Sequence, residues 1–265
     1  MYKYLYYIKI QFAVYFAYTW NLIVDILLSF LGIIIILFVW NSIYMAHGSL
    51  SGYSFNSIVV YYLFVVALGK LVYSGTAKTL TTYIYNGTLA TFQIRPANIR
   101  LLLFIEDFVN IFINTVISMI ITSFCLFIFS GLWPSANISF ISFMLFIPAY
   151  IFAVIINYML YFIVGTAAFW TTTVGGLRIT ISTFIKIFTG ALVPLTLFPN
   201  YIKNIISITP FPYLINFPIN VITNNIALDN ILKEYLIEIL WTVILFLLCN
   251  ILWKKGIKQY ESIGN

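Results

Sequence analysis

The stretch at residues 85–100, YNGTLATFQIRPANIR, is a polar, basic island in a chain that is otherwise apolar. It places a Gly-Thr step, an Arg-Pro pair and a second arginine between long greasy segments. What the island can be depends on those surroundings. Of the 265 residues, 63% are hydrophobic and 8% are charged, against about 25% charged in a soluble domain. So few charges do not cover a water-facing surface. Disorder needs the reverse composition, low hydrophobicity with high charge. The solvent of this chain is a lipid bilayer, and the fold class expected is an all-α membrane protein.

A spanning helix needs about 20 mostly apolar residues. Six runs qualify: 22–46, 55–74, 104–132, 140–170, 179–198 and 235–253. The fourth holds Pro148, which predicts a kink or tilt. The fifth holds Lys186 and Pro194. Residues 1–20 differ: they are dense in Tyr, Phe and Trp, with Lys3 and Lys9 among them. Rings with polar tips favour the headgroup level, so an N-terminal interfacial helix is expected. The short aliphatic core and small-residue cleavage site of a signal peptide are not clear there.

Orientation follows from Lys and Arg in the short loops. With the N-terminus in the cytoplasm, Lys3, Lys9, Lys70, Lys78, Arg95, Arg100, Arg178, Lys254, Lys255 and Lys258 all fall on the inner side. Lys203 and Lys233 fall outside. Six spans bring the basic tail, 254–265, back to the cytoplasm, so both termini are expected there. The whole chain, 1–265, then reads as a single transmembrane domain. The net charge of +6 reports topology and contact with membrane lipids; no aromatic-interleaved basic patch suggests nucleic acid. The heavy use of Ile, Asn, Tyr, Phe and Lys hints at an AT-rich bacterial genome and so at a bacterial cytoplasmic membrane.

On this topology residues 75–103 form a cytoplasmic region between the second and third spans. Leu80, Ile84, Leu89, Phe92 and Ile94 give it partial helical periodicity, and Pro96 ends or kinks a helix near Arg95. A structured, basic, half-apolar projection is suited to being gripped by a soluble partner. Residues 199–228 lie outside; they are too proline-rich to span and too greasy for a free loop. Short re-entrant or interfacial helices packed against protein are expected there.

Three separated motifs resemble one family. GTLATFQIRP at 87–96, GALVPLTLFPNYIKNIISITPFPYLINFP at 190–218 and LWKKGIKQYESIGN at 252–265 are similar, in order, to the patterns of a bacterial subgroup of ABC-2 type transporter permeases. The resemblance implies a type V ABC exporter: an interfacial helix, six transmembrane helices, a coupling helix between spans two and three, and short extracellular helices after span five. It implies two permease chains, as homodimer or heterodimer, working with two ABC ATPase subunits. ATPase coupling would fall to Tyr85, Gly87, Leu89, Ile94, Arg95, Pro96 and Arg100. An extracellular gate region would hold Pro194, Pro199, Pro210, Phe211 and Pro212.

The chain has no GxxxxGK[ST] phosphate loop; LGKL at 68–71 lacks the upstream Gly and the hydroxyl after Lys. Hence no cofactor is expected on this chain, with ATP and Mg on the partner ATPase, and the chain is not itself an enzyme. No Cys/His spacing suggests a metal. Glu106 and Asp107 are expected to favour the dipole at the start of the third span; adjacent residues on a helix diverge, which speaks against acid–base chemistry. Asp25 and Lys186 form a conceivable intramembrane pair, the rival for Lys186 being snorkelling to the interface. An apolar interior poor in charge suits a hydrophobic or amphipathic cargo: a drug, antimicrobial peptide or lipid. The alternatives are a stand-alone channel or secondary transporter, which would carry inverted repeats or paired charges, and a lipid-modifying enzyme, which would need clustered Asp, His or Glu.

Overall fold

Among the described residues, four helices are long and apolar enough to cross a bilayer: Ile23–Ala46, Ile99–Ile128, Phe140–Phe169 and Asn230–Tyr260. They correspond to the first, third, fourth and sixth expected spans. The computed structural model describes residues 2–47, 54–93, 98–128 and 138–263. In these the chain is all-helical. The helices are α1 (Tyr2–Ala17), α2 (Thr19–His47), α3 (Phe55–Ala67), α4 (Thr76–Tyr85), α5 (Leu89–Gln93), α6 (Ile99–Ile128), α7 (Phe140–Thr166), α8 (Gly175–Phe188), α9 (Asn200–Ser207), α10 (Asn216–Ile222) and α11 (Leu228–Ile263). Short 3-10 turns lie at Gly69–Val72, Ala167–Phe169, Leu195–Leu197 and Phe211–Tyr213.

The count of six spans is not reproduced by length. The second expected span, 55–74, is the 13-residue α3 followed by the turn Gly69–Val72. The fifth, 179–198, is the 14-residue α8, which begins earlier and stops at Phe188. The stop has a local cause. Gly190 takes a left-handed φ of +86° just beyond Thr189, and the amides of Thr189 and Leu192 bond back to Ile185 and Lys186 at 2.9 and 3.3 Å. That is the glycine C-cap geometry that satisfies the last carbonyls of a helix. Tyr61 seals it, donating from its hydroxyl to the Gly190 carbonyl at 2.9 Å. A run of apolar residues continues past Gly190, but the helix does not.

The core is organised around α7, which packs against α4, α6, α8, α10 and α11. A capping box starts it: Ser139 Oγ accepts from the Ser142 amide at 3.1 Å, and Ser142 Oγ from the Ser139 amide at 2.9 Å. The helix runs on through Pro148. Its inner face is made of Ala149, Ala153, Ile156, Tyr161 and Phe162, all essentially sealed. The α11 helix lies parallel to it in constant register: Tyr235 donates to the Leu145 carbonyl and Cys249 to the Met159 carbonyl at 3.6 Å. Lower down, Trp253 packs tilted against Phe162 and edge-on to Phe169, with ring centroids 5.5 and 5.8 Å apart. Gly256 exists to admit that Phe169 ring, because a Cβ there would overlap it.

The N-terminal helix α1 sets Tyr4, Tyr7, Ile8, Phe12 and Tyr15 against Ile105, Val109 and Ile113 of α6. This stripe, spaced at three and four residues, gives α1 a helical face. The proline-rich region folds into short helices, of which α9 buries only Ile206 while α10 is packed on protein. Pro194, Pro199 and Pro210 each precede a helical turn. Pro212 is buried in the third, and Phe211 lies 5.8 Å from the Phe188 ring. Within α10, Phe217, Pro218, Ile219, Val221 and Ile222 are buried, which wedges it against α7 and α3.

Gly256→Val should displace the Phe169 ring and lower stability by about 1–3 kcal/mol, as overpacking of a tight core does. Gly32→Ala, where a Cβ meets nothing within 4 Å, should not. Thermal unfolding of the two variants in detergent checks the contrast.

Candidate functional site

The polar island becomes a corner made of α4, the turn Asn86–Thr88 and α5. Each side of it is tied to a different part of the membrane bundle. At its start, the Asp107 carboxylate of α6 accepts hydrogen bonds from the Ser74 and Thr76 hydroxyls and from the Gly75 amide at 3.1 Å. Ser74 Oγ in turn accepts from the Thr76 amide at 3.1 Å. Asp107 is only 4% exposed. A carboxylate at that place satisfies helix-start donors and meets the positive end of the α4 dipole.

This corrects the expected role of Glu106 and Asp107. The α6 helix begins at Ile99, with the Asn98 side chain accepting from the Arg100 amide at 3.0 Å. The two acids therefore lie two turns inside α6, and Asp107 caps a different helix. The Asn98 amide also donates to the Tyr4 hydroxyl at 3.1 Å, tying α1 to the start of α6.

Along its length α4 rests on α7. Ala77 and Leu80 are fully buried, and a Cβ on Gly165 would stand 3.1 Å from Ala77 Cα. Only glycine on α7 allows this approach without displacing the backbone of α4. At its end, Gly87 turns the chain with a left-handed φ of +72°. Its carbonyl accepts from the Tyr260 hydroxyl of α11 at 2.9 Å. Tyr85 donates to the Thr171 carbonyl, beyond α7, at 2.8 Å. Leu89 is buried and anchors α5, while Tyr83 and Phe92 close the corner ring to ring at 5.1 Å. Burial, and then the Glu106 carboxylate, raise the Tyr83 phenol above its ordinary range.

The outer side of the corner is free: Lys78, Thr82, Asn86, Thr88 and Thr91 are exposed. Of the residues expected to couple, Tyr85, Gly87 and Leu89 come together here. Arg100 sits in the first turn of α6 and faces inward, donating to Asn250 Oδ1 at 2.5 Å and accepting from the Tyr158 hydroxyl on its carbonyl at 2.7 Å. Ile94, Arg95 and Pro96 lie outside the described residues. Asp25 lines a cleft with α1 and α6, whereas Lys186 is exposed in the last turn of α8.

Residues 28–264 match the family described as ABC-2 family transporter protein. The chain belongs to the ABC-2 transporter family. No curated protein matches the sequence. As an ABC-2 permease it is a membrane component of a transporter rather than a catalyst, and members of this family normally work with ABC ATPase subunits. The multi-pass apolar architecture agrees with that assignment. Among the described residues no group of His, Cys, Asp and Glu could hold a metal.

Sequence reasoning singled out Gly165 for close helix approach, which it provides, but missed Asp107, Tyr260 and Gly256 as parts of one scaffold. The signal for two of them was present in WKKGIKQY, whose Gly and Tyr are the residues that seat Phe169 and hold Gly87. It also passed over Glu238 of α11, which is fully buried with neither carboxylate oxygen hydrogen-bonded among the described residues. The constant register of α11 on α7 sets it level with Pro148.

Tyr260→Phe deletes one neutral hydrogen bond, worth about 0.5–1.5 kcal/mol. Amide exchange should rise severalfold in α5 and the Asn86–Thr88 turn, with α8 unchanged. Hydrogen exchange read by mass spectrometry on the purified permease checks this.

Proposed function

We propose that this permease is the membrane subunit of a type V ABC exporter and that the α4–α5 corner is its coupling helix. The observation that carries the reading is the mounting of the corner. A short helix between the second and third apolar segments is fixed to α6, α7 and α11 at once, yet keeps a polar outer side free. A ligand shifts a two-state element only through contacts that differ between the states. An ATPase pair that closes against this outer side would move three membrane helices together.

In this reading α3 with its 3-10 turn, about 28 Å long, and α8, about 21 Å, complete six spans around the four long helices. Both termini and the corner face the cytosol, and α9 and α10 the outside, where Pro194, Pro199, Pro210, Phe211 and Pro212 form the gate region. Two permease chains and two ATPase subunits make the working unit, in a bacterial cytoplasmic membrane. ATP and Mg bind the ATPase. The cargo is hydrophobic or amphipathic. Arg95 and Lys78 supply the positive charge that an acidic groove on the ATPase would meet; Asp25 and Lys186, expected as a pair, lie near opposite ends of their spans in this reading.

The permease, affinity-purified from its native membrane, should retain an ATPase that carries phosphate-loop and signature motifs. The double variant Lys78→Glu, Arg95→Glu should retain at least tenfold less, while Asn204→Asp on α9 should retain as much as wild type. Equal retention by the double variant, or none by wild type, contradicts the reading.

A further inference from the structure

We propose that the C-terminal part of α11 binds an anionic phospholipid, and that the bound lipid braces the turn that holds the α4–α5 corner. The observation is a division of α11 into two faces. On one face, Cys249, Trp253, Gly256 and Tyr260 turn to the bundle, where they meet the Met159 carbonyl, the Phe162 and Phe169 rings and the Gly87 carbonyl. On the opposite face, Leu240, Val243, Leu247, Ile251, Lys254 and Lys258 recur at steps of three and four residues, so they stack in one column. The four apolar members are between 50 and 56% exposed. Both lysines, and Lys255 beside them, are exposed too.

The column has the dimensions of a lipid. From Leu240 to Ile251 it runs about 17 Å, close to the ~15 Å hydrocarbon depth of one leaflet. It then passes without a gap into the three lysines, at the depth where the phosphates of that leaflet lie. Trp253 and Ile257 complete a groove of about 480 Å³ around Lys254, Lys255 and Lys258. Among the described residues no carboxylate pairs with these lysines. Lys258 lies four residues from Lys254 and three from Lys255, spacings at which like charges repel across a helix turn. A phosphate among them removes that repulsion, and clustered lysines at the end of a span attract anionic headgroups. A zwitterionic lipid suits only the apolar half of the column, and a soluble phosphate only the charged half.

The brace follows from the same turn. A headgroup that ties Lys254, Lys255 and Lys258 together fixes the turn from which Tyr260 reaches Gly87. The proposal rests on the bilayer setting of the chain and not on the exporter reading.

The test titrates full-length permease in detergent micelles with cardiolipin, whose two phosphates suit three lysines, and with phosphatidylcholine. Lipid-bound species are read by native mass spectrometry. Cardiolipin should bind at least tenfold more tightly than phosphatidylcholine. The triple variant Lys254→Gln, Lys255→Gln, Lys258→Gln should bind cardiolipin at least fivefold more weakly than wild type. The triple variant Lys186→Gln, Lys203→Gln, Lys233→Gln, an equal loss of charge at other exposed positions, should bind it as wild type does. The cardiolipin headgroup stripped of its acyl chains should not compete. Cardiolipin with a diazirine on one acyl chain should label the peptide that holds Leu247 and Ile251. Bound cardiolipin should slow amide exchange of the Asn86–Thr88 turn severalfold in wild type. Equal affinity of the Lys254 triple variant and wild type, an equal loss in the control triple variant, or competition by the bare headgroup overturns the site. So does labelling confined to other helices, as when a second copy of the chain covers the column. Exchange at Asn86–Thr88 that does not respond to cardiolipin in a wild type that binds it overturns the brace.

Discussion

One nearly buried carboxylate, Asp107, fixes the relation between the membrane bundle and the projection it carries. Its two oxygens hold the hydroxyls of Ser74 and Thr76 and the amide of Gly75. Those groups close the turn after Gly69–Val72 and start the helix that follows. Without the carboxylate, three donors would be left short of an acceptor in a place with little access to water, and each such loss costs about 1–3 kcal/mol. The clamp therefore makes the first turn of α4 an extension of α6. The glycine approach at Gly165 and the hydroxyl of Tyr260 bind the rest of the corner to α7 and α11. On the proposed coupling role, a push on the outer side of α4 would be shared among three long helices.

Much of this was legible in the sequence, for reasons that can be named. Apolar runs of spanning length mark α2, α6, α7 and α11, because a bilayer demands uninterrupted apolar helix. The Pro-rich segment reads as short helices because its prolines do not allow one continuous spanning helix. The limits of α3 and α8 were not legible from hydropathy. Gly190 ends α8 through a backbone conformation, while Phe188 before it and Ala191 and Leu192 after it keep the run apolar. A hydropathy window does not register a change in φ.

The site shows the same division. Gly87 and Leu89 belong to the motif at 87–96, and in the fold Gly87 turns the chain and Leu89 is buried. Asp107 was assigned to the wrong helix start because the local pattern places the beginning of α6 at Phe104. The helix starts five residues earlier, at Ile99, behind the cap Asn98. Once that boundary moves, Asp107 is interior, and its partners lie 31 to 33 residues away, beyond the reach of any local rule. Lys186 drew attention as a charge in an apolar run and is exposed; Glu238 did not and is sealed. Hydropathy ranks both as interruptions, and only packing distinguishes them. The tail motif is a further case. Its Gly and Tyr read as a family pattern in sequence, and in the fold they seat Phe169 and hold Gly87.

Amide hydrogen exchange of the Asp107→Ala permease tests the clamp most directly. If the carboxylate ties α4 to α6, exchange over residues 76–85 should accelerate by about one to two orders of magnitude, the equivalent of about 1–3 kcal/mol, while α8 keeps its wild-type protection. Protection of α4 that is unchanged in Asp107→Ala would contradict the account, since the corner would then be held by something other than this residue.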